Sequence, residues 1–410
     1  MDEILENAPR LDVYLYSEHP KVIKAVGFVV DELFKPARKE RRKYWKTARM
    51  LITNLWESAN ASNNPWRSLS RDKSAYLEGT RYNKLYITYL LVKVVDRLIE
   101  LGYIEQIKGK YNSATGFGRA SRIKATEKLL ELVRIRDIFS VLAPNPEDNS
   151  ETIILKDKNK KLVDYKDFER TDTAREELRL INELLAKTKL EVSKKALKDT
   201  ELVVLTRKKV FRVFNNDDFS AGGRVYGGFW QQIKREYRST IKINGESVTE
   251  LDYKANHPSM IYRLSTDKPI PSDCYTVNGF NRDIAKKAIM MMINNETKEA
   301  AVNALAPDIR KKLGIAFTKK DSKKVIESLE ELHEPILPFL YDPKLGMTLQ
   351  SIEGEIAVDI LFTLMKEDIP CLPLHDSFIV AVTHRERLRA AMIYSYKKHI
   401  NQEPIIDMKY

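Results

Sequence analysis

CLPLHDSFIVAV, residues 371–382, is the stretch on which the reading of this chain turns. Two apolar runs of β-forming residues flank His375, Asp376 and Ser377, which predicts a hairpin with three polar residues at its tip. An acid set into an otherwise hydrophobic sheet is costly unless it binds something. SVTELDYKANHPSMIYRL, residues 247–264, poses the same question upstream. Val248–Tyr253 has the composition of a strand that carries Asp252 near its end, and Pro258 suits the first residue of a helix whose apolar side holds Met260, Ile261 and Leu264. An acid leaving a strand just before a helix either caps that helix or points into a cleft. Two such carboxylates brought together form a hard-oxygen site of the kind Mg²⁺ takes. A pair of Mg²⁺ ions is the usual clamp for phosphoryl or nucleotidyl transfer.

Three further segments surround these two. DDFSAGGRVYGGFW, residues 217–230, places Gly pairs on either side of Arg224 and Tyr226. Paired glycines permit positive φ or a close backbone approach, and an Arg held there is a candidate phosphate contact. NRDIAKKAIMMMINN, residues 281–295, reads as a helix in which Arg282, Lys286, Met290 and Asn294 share one face at i, i+4 spacing. A cationic pair at one end of a half-buried helix suits a triphosphate. MTLQSIEGEIAVDILFTLM, residues 347–365, predicts a helix packed on the sheet, with Gln350 near its start, able to reach a groove edge.

The first 144 residues are of another kind. Lys35–Arg49 carries eight basic residues and one acid around Tyr44 and Trp45. A solvated helix face explains such a run as well as a nucleic-acid contact does. Leu91, Val94, Val95, Leu98, Ile99 and Leu101 fall at helical spacing, and Gly102 follows as a stop. Tyr103–Ile107 and Ser121–Ala125 read as strands around a basic Gly-bearing loop, and Thr126 with Glu127 opens another helix. Between the two regions, APNPEDNSE is a break, TIILKDKNKKLVDY a charged hairpin, and TAREELRLINELLAKTKL an amphipathic helix with Leu178, Ile181, Leu184 and Leu185 on one side.

Composition narrows the classes. Of 410 residues, 70 are Lys or Arg and 58 Asp or Glu, a net charge of +12 that fits a polyanionic partner, nucleic acid or an anionic membrane surface. The hydrophobic share, 43%, is that of a folded globular chain. The N-terminal MDEILENAPR does not read as a signal peptide, and no apolar run is long enough to span a bilayer. Cys274 and Cys371 are the only cysteines, which excludes a disulfide framework and a Cys-rich zinc site and makes a reducing cytoplasm the expected setting. No GxxxxGK[ST] loop and no strand-borne GxGxxG is present, so nucleotides are not held by those devices.

The order helix, Gly, strand, basic hairpin, strand, helix over LVKVVDRLIELGYIEQIKG…GRASRIKAT resembles that of the winged-helix family. The resemblance implies nucleic-acid contacts by Arg81, Lys84, Lys108, Lys110, Arg119 and Arg122; winged helices that bind proteins are the alternative. Over about 190 residues, GGRVY, ELDYKANHP, RDIAKKAIMMMIN, LQSIEGEIAVDI and LHDSFIV together resemble, in order, the motifs of family A DNA polymerases and the related single-subunit RNA polymerases. The nearest likeness is to small polymerases and primase-polymerases of phages, plasmids and mobile elements.

That resemblance implies an α+β fold: a right-hand palm and fingers, an antiparallel sheet with helices, over residues 201–410. It follows a mostly helical winged-helix domain over 1–144 and a linker with a reduced thumb-like segment over 145–200. It implies that Asp252, the Tyr253 carbonyl and Asp376 hold two Mg²⁺ ions, replaceable by Mn²⁺. Arg282 and Lys286 would bind the incoming triphosphate, with Lys286 protonating the leaving pyrophosphate, and His257, Met290 and Asn294 would line the nucleotide site. Arg224, Tyr226, His375 and Gln350 would contact primer and template. The implied reaction is template-directed DNA synthesis from dNTPs on a primer-template or single strand, served by a small single-stranded-DNA-binding or helicase partner, with no membrane. RNA polymerase or primase activity on NTPs is the alternative within the family. A non-catalytic winged-helix replication factor is the alternative outside it. Two departures bear on the choice. Asn294–Asn295 stand where relatives carry Tyr-Gly, and His257 stands where DNA polymerases carry a Glu sugar gate. The N-terminal stretch also lacks the acidic motifs of a proofreading exonuclease.

Overall fold

The computed structural model describes residues 2–61, 64–76, 80–82, 85, 87–112, 117–135, 141–143, 145–146, 148–193, 195–196 and 207–410. Helices α1 (Asp2–Glu6), α2 (Pro20–Gly27) and α3 (Arg41–Ala61) precede strand β1 (Arg67–Leu69) and helix α4 (Leu90–Glu100). Then come β2 (Ile104–Ile107), the paired β3 (Lys110–Asn112) and β4 (Phe117–Arg119), β5 (Ser121–Ala125) and α5 (Glu127–Leu132). Next are β6 (Ile153–Leu155), α6 (Glu169–Lys187), β7 (Leu190–Glu191), β8 (Phe211–Asn215), β9 (Asp218–Tyr226), β10 (Lys242–Ile243) and β11 (Glu246–Tyr253). Helices α7 (Asn256–Ser265), α8 (Arg282–Asn294), α9 (Lys298–Leu313), α10 (Lys319–Leu332) and α11 (Leu345–Met365) follow. Strands β12 (Leu372–Leu374) and β13 (Ser377–Ala381), helix α12 (Arg385–Ile400) and β14 (Ile406–Met408) complete the order. The protein is α+β, and no helix among the described residues is long and apolar enough to cross a membrane.

The chain forms two compact units. One comprises Met1–Glu151, Leu190–Lys209 and Gly227–Ile241; the other comprises Thr152–Lys189, Val210–Tyr226 and Lys242–Tyr410. The stretch 145–200, expected to be a connection, is shared between them. In the first unit β5 is central, antiparallel to β1 on one side and β2 on the other. The core joins Val26, Leu51 and Leu55 to Val94, Val95, Leu98 and Ile123, all fully buried. The helical spacing of Leu91–Leu98 and the Gly102 stop anticipate α4 well: Gly102 takes φ +76° directly after its last turn. One feature has no sequence signature. Helix α2 runs on into a π-helical stretch, Phe28–Phe34, which ends at left-handed Lys35.

In the second unit β11 lies inside an antiparallel sheet. β13 pairs one of its edges over Val248–Asp252, and β14 pairs Leu251–Tyr253. β12 continues from β13, and β10 forms a hairpin with the start of β11. A second, three-stranded sheet has the order β6-β8-β9. Helix α7 begins at Asn256, two residues before Pro258, because Ala255 takes a left-handed φ of +47° that turns the chain straight from strand to helix. Pro258 is still in the first turn, where its missing N–H costs nothing. Met260 and Ile261 are buried as expected, whereas Leu264 is exposed: the buried face of this short helix is Asn256–Tyr262.

Helix α11 lies directly against β9. The contact depends on Gly354, whose hypothetical Cβ would fall 2.2 Å from the carbonyl oxygen of Gly223. Gly223 itself has φ +86° and Gly222 φ +81°, so both break the regular strand geometry that a side chain would favour. Gly354 therefore permits the close approach of helix to strand, while the paired glycines of the GGRVY segment supply positive φ and leave room for Asn215, Phe214 and Arg212 of β8. On either side of Gly354, Glu353 meets Arg224 at 2.8 Å and Glu355 meets Arg212 at 2.9 Å. Arg212 also donates from Nε to the Gly223 carbonyl at 2.8 Å. We expect Gly354→Val to lower the unfolding free energy by about 2–4 kcal/mol in urea titration, since neither backbone can retreat. Gly245→Ala, at an open turn with φ +87°, should cost only about 1 kcal/mol, from conformation alone.

Candidate active site

β11 and the β12–β13 hairpin deliver the two acids. Asp252 pairs directly with Ser377 across the strands, and Leu374 pairs with Ser377, leaving His375 and Asp376 as a two-residue turn. His375 takes φ +68°, a costly conformation for a residue with a Cβ and of the sort that collects at functional sites. The Tyr253 amide donates to the Asp376 carbonyl at 3.2 Å, tying the backbone after one acid to the backbone of the other. The Tyr253 side chain is occupied elsewhere: its hydroxyl donates to the Met392 carbonyl at 2.7 Å within the core.

The proximity of the acids has an electrostatic consequence. Burial first, then the negative charges of Glu353 and Asp252, push the Asp376 carboxyl up to about 7. Asp252 has a cation: Lys409 Nζ lies 2.6 Å from its Oδ2. Asp376 has no ion-pair partner among the described residues.

A third acid, Glu353, was not singled out in the sequence. It is 3% exposed, and Arg224 Nη2 and His257 Nε2 both reach its Oε2 at 2.8 Å. With His257 donating from Nε2, its 3.2 Å approach to Arg224 is a contact between two donors that share one acceptor. Burial works to raise the Glu353 carboxyl, but the hydrogen bond from His257 and the charge of Arg224 outweigh it and hold the group below the usual carboxylate range. The clue in the sequence was the EGE triplet, whose central Gly now explains why a carboxylate on each side meets an Arg.

Other residues converge on this set. The Tyr226 ring meets the His375 ring edge-on at 5.2 Å between centroids. Arg282 stacks over Tyr275 at 4.8 Å and reaches Asp273 at 3.3 Å. The Tyr275 hydroxyl is raised by burial above all and then by Cys274, with the charge of Arg282 acting against the rise. Lys286 is exposed one turn along α8. Met290 is half-buried, and Asn294 folds back to donate to the Met290 carbonyl at 2.7 Å. Gln350 is half-buried on α11, one turn before Glu353. No contact joins Lys286, Met290, Asn294 or Gln350 to the acids.

Several buried polar atoms here lack a partner: both ends of the Asn256 amide, His257 Nδ1, Glu353 Oε1 and Arg224 Nε. Buried polar groups are nearly always hydrogen-bonded, so such a cluster marks a place built to meet something. As they stand, no three acidic, His or Cys side chains among the described residues are grouped to hold a metal ion. The donor set nevertheless fits a hard divalent cation. It offers two carboxylates on adjacent backbone, one already holding an ammonium and the other raised by burial and by the charges of Glu353 and Asp252.

In the first unit the candidate cations divide. Arg122 is buried, donating to the Leu5 and Ala120 carbonyls, and Arg81 pairs with buried Glu151 at 3.5 Å; both are committed internally. Arg119 reaches Glu6 at 3.1 Å. Lys108 and Lys110 are exposed beside the β3–β4 hairpin. Lys84 lies outside the described residues. Within the basic run, Arg41 pairs with Asp31 and Arg49 lies over the Tyr16 ring at 4.2 Å.

The sequence matches no protein-family model and no curated protein.

An acid whose proton is held more tightly in the folded state destabilises that state as pH rises from its unfolded value, near 3.9, through its folded one. In chelator, the wild-type protein should lose on the order of 1–2 kcal/mol between pH 5 and pH 8 relative to Asp376→Asn, read from urea midpoints. Parallel pH profiles for the two proteins would contradict the placement of Asp376.

Proposed function

We propose that this protein is a template-directed nucleotidyltransferase of the family A polymerase type, with DNA synthesis its main activity. The observation that carries the reading is the meeting of Asp252 and Asp376 on adjacent backbone, joined by the Tyr253–Asp376 hydrogen bond and flanked by Arg224, His257 and His375. Asp252, the Tyr253 carbonyl and Asp376 would hold two divalent ions. When bound, these supply charge stabilisation to an in-line displacement at phosphorus.

The rest of the chemistry is positioning. Arg224, fixed by Glu353, presents a cation beside the acids for a primer phosphate, and Tyr226 orients the His375 ring. Arg282 is more than half exposed, stacked on Tyr275 and paired with Asp273 at 3.3 Å, so it can exchange that acid for a triphosphate. Lys286, on the same face, supplies a second cation and a proton for the leaving group. His257 is clamped by Glu353, and a fixed imidazole at that point of the motif favours deoxynucleotides on steric grounds. The first unit carries helix α4, β2, a hairpin, β5 and α5 in the winged-helix order, with exposed Lys108 and Lys110 suited to duplex phosphates.

The test is extension of a labelled primer-template in Mg²⁺ with dNTPs and NTPs offered separately, and again without primer. Wild-type protein should extend with dNTPs. Asp252→Asn and Asp376→Asn should each reduce extension by at least about a thousandfold while retaining template binding. No product with either nucleotide set would overturn the reading. Lys108→Ala with Lys110→Ala should weaken duplex binding and lower the slope of log affinity against log salt by about 2, measured by fluorescence anisotropy.

A further inference from the structure

The ion pair between Lys409 and Asp252 has no place in the chemistry above. β14 lies beside β11 with Asp407 opposite Asp252, so in an antiparallel pair both side chains stand on one face of the sheet. Lys409, two residues on, returns to that face and places its ammonium 2.6 Å from Asp252. The segment that carries it is pinned on both sides. The Lys409 amide donates to the Glu250 carbonyl at 2.9 Å, Thr249 Oγ1 donates to the Tyr410 carbonyl at 2.6 Å, and the Tyr410 hydroxyl reaches Glu250 Oε2 at 3.1 Å. The side chain is only about a quarter exposed, so its charge acts through little water.

We propose that Lys409 is a built-in counter-ion of the site, occupying at Asp252 the position of a divalent cation and yielding it when that ion binds. The proposal rests on the nucleotidyl-transfer reading for the identity of the ion. The other candidate cations are already engaged: Arg224 and His257 serve Glu353, and Arg282 serves Asp273. Lys409 is the cation paired with Asp252 among the described residues. Without it, Asp252 would lose its ion-pair partner while Asp407 stands opposite it in the sheet and Asp376 lies close by. A divalent ion on Asp252 would in turn lie within a few ångströms of the ammonium, and like charges at that range repel strongly out of water. The two cations therefore compete, and β14 sets how much metal is needed to fill the site.

The probe is Mn²⁺ alone, titrated into full-length protein at fixed pH and followed by the electron paramagnetic resonance signal of the free ion. The comparison is of wild type with Lys409→Met, Lys409→Arg and Asp252→Asn. Lys409→Met should bind Mn²⁺ about fivefold to twentyfold more tightly than wild type, Lys409→Arg no more tightly, and Asp252→Asn more weakly than either. Thermal melting gives a second reading: in chelator Lys409→Met should melt below wild type, and saturating Mn²⁺ should raise its midpoint by more. Lys409→Met binding no tighter than wild type, with a normal melt, overturns the counter-ion role and leaves the polymerase reading standing. Absence of Mn²⁺ binding that Asp252→Asn diminishes overturns both.

Discussion

The second unit is organised around one contact without clearance, the crossing of α11 over β9 at Gly354 and Gly223. Helix and strand backbones meet there without a side chain between them, and the register of the crossing decides which residues stand on each side. Glu353 and Glu355 flank the contact and are met by Arg224 and Arg212 from the sheet. Buried ion pairs of this kind add little net stability against apolar packing, but a misregistered one is severely penalised. The pairs thus act as a check on register. Arg224 and, through Glu353, His257 arrive beside Asp252 and Asp376 because the helix can sit in only one place.

The same arrangement explains an economy in the candidate site. A pair of close, half-buried carboxylates must be stabilised even when nothing is bound to it. Asp376 meets the empty condition by holding its proton more tightly, and Asp252 by borrowing a lysine from a neighbouring strand. Glu353 is different: two donors satisfy one of its oxygens permanently, so it behaves as a structural anion and not as a member of the titrating set. Three acids in one neighbourhood are thereby given three separate electrostatic fates by their surroundings.

Much of this was legible in the sequence, and the rest was hidden for definable reasons. The strand-like composition of Val248–Tyr253 and the apolar runs around HDS marked β11, β12 and β13, because strand propensity and turn chemistry are local. The i, i+4 face of Arg282 and Lys286 was local too. Glu353 was missed because its significance depends on two partners, Arg224 and His257, brought from 129 and 96 positions away. Lys409 was missed for the same reason, as β14 reads as a polar tail until it is paired. Arg122 and Leu264 failed in the opposite direction: the winged-helix resemblance implied a nucleic-acid contact at Arg122 and helical spacing a core position for Leu264, and packing reversed both. The positive φ offered for the Gly pair is what Gly222 and Gly223 adopt, whereas Gly354, the glycine at the helix crossing, was not singled out.

The path of the chain through its two units has a further consequence, which concerns synthesis. Each unit is assembled from three separate segments, so the polypeptide leaves and re-enters each of them as it is made. The first unit cannot be finished when residue 151 leaves the ribosome. It waits for 190–209 and 227–241, and by then β8 and β9 of the second unit have already emerged. Those two strands must in turn stand without α11 until more than a hundred further residues are added, with Arg212 and Arg224 still lacking their acids. Folding during translation therefore cannot proceed domain by domain. No cut at a single peptide bond would release either unit whole, so the two are bound to appear and disappear together.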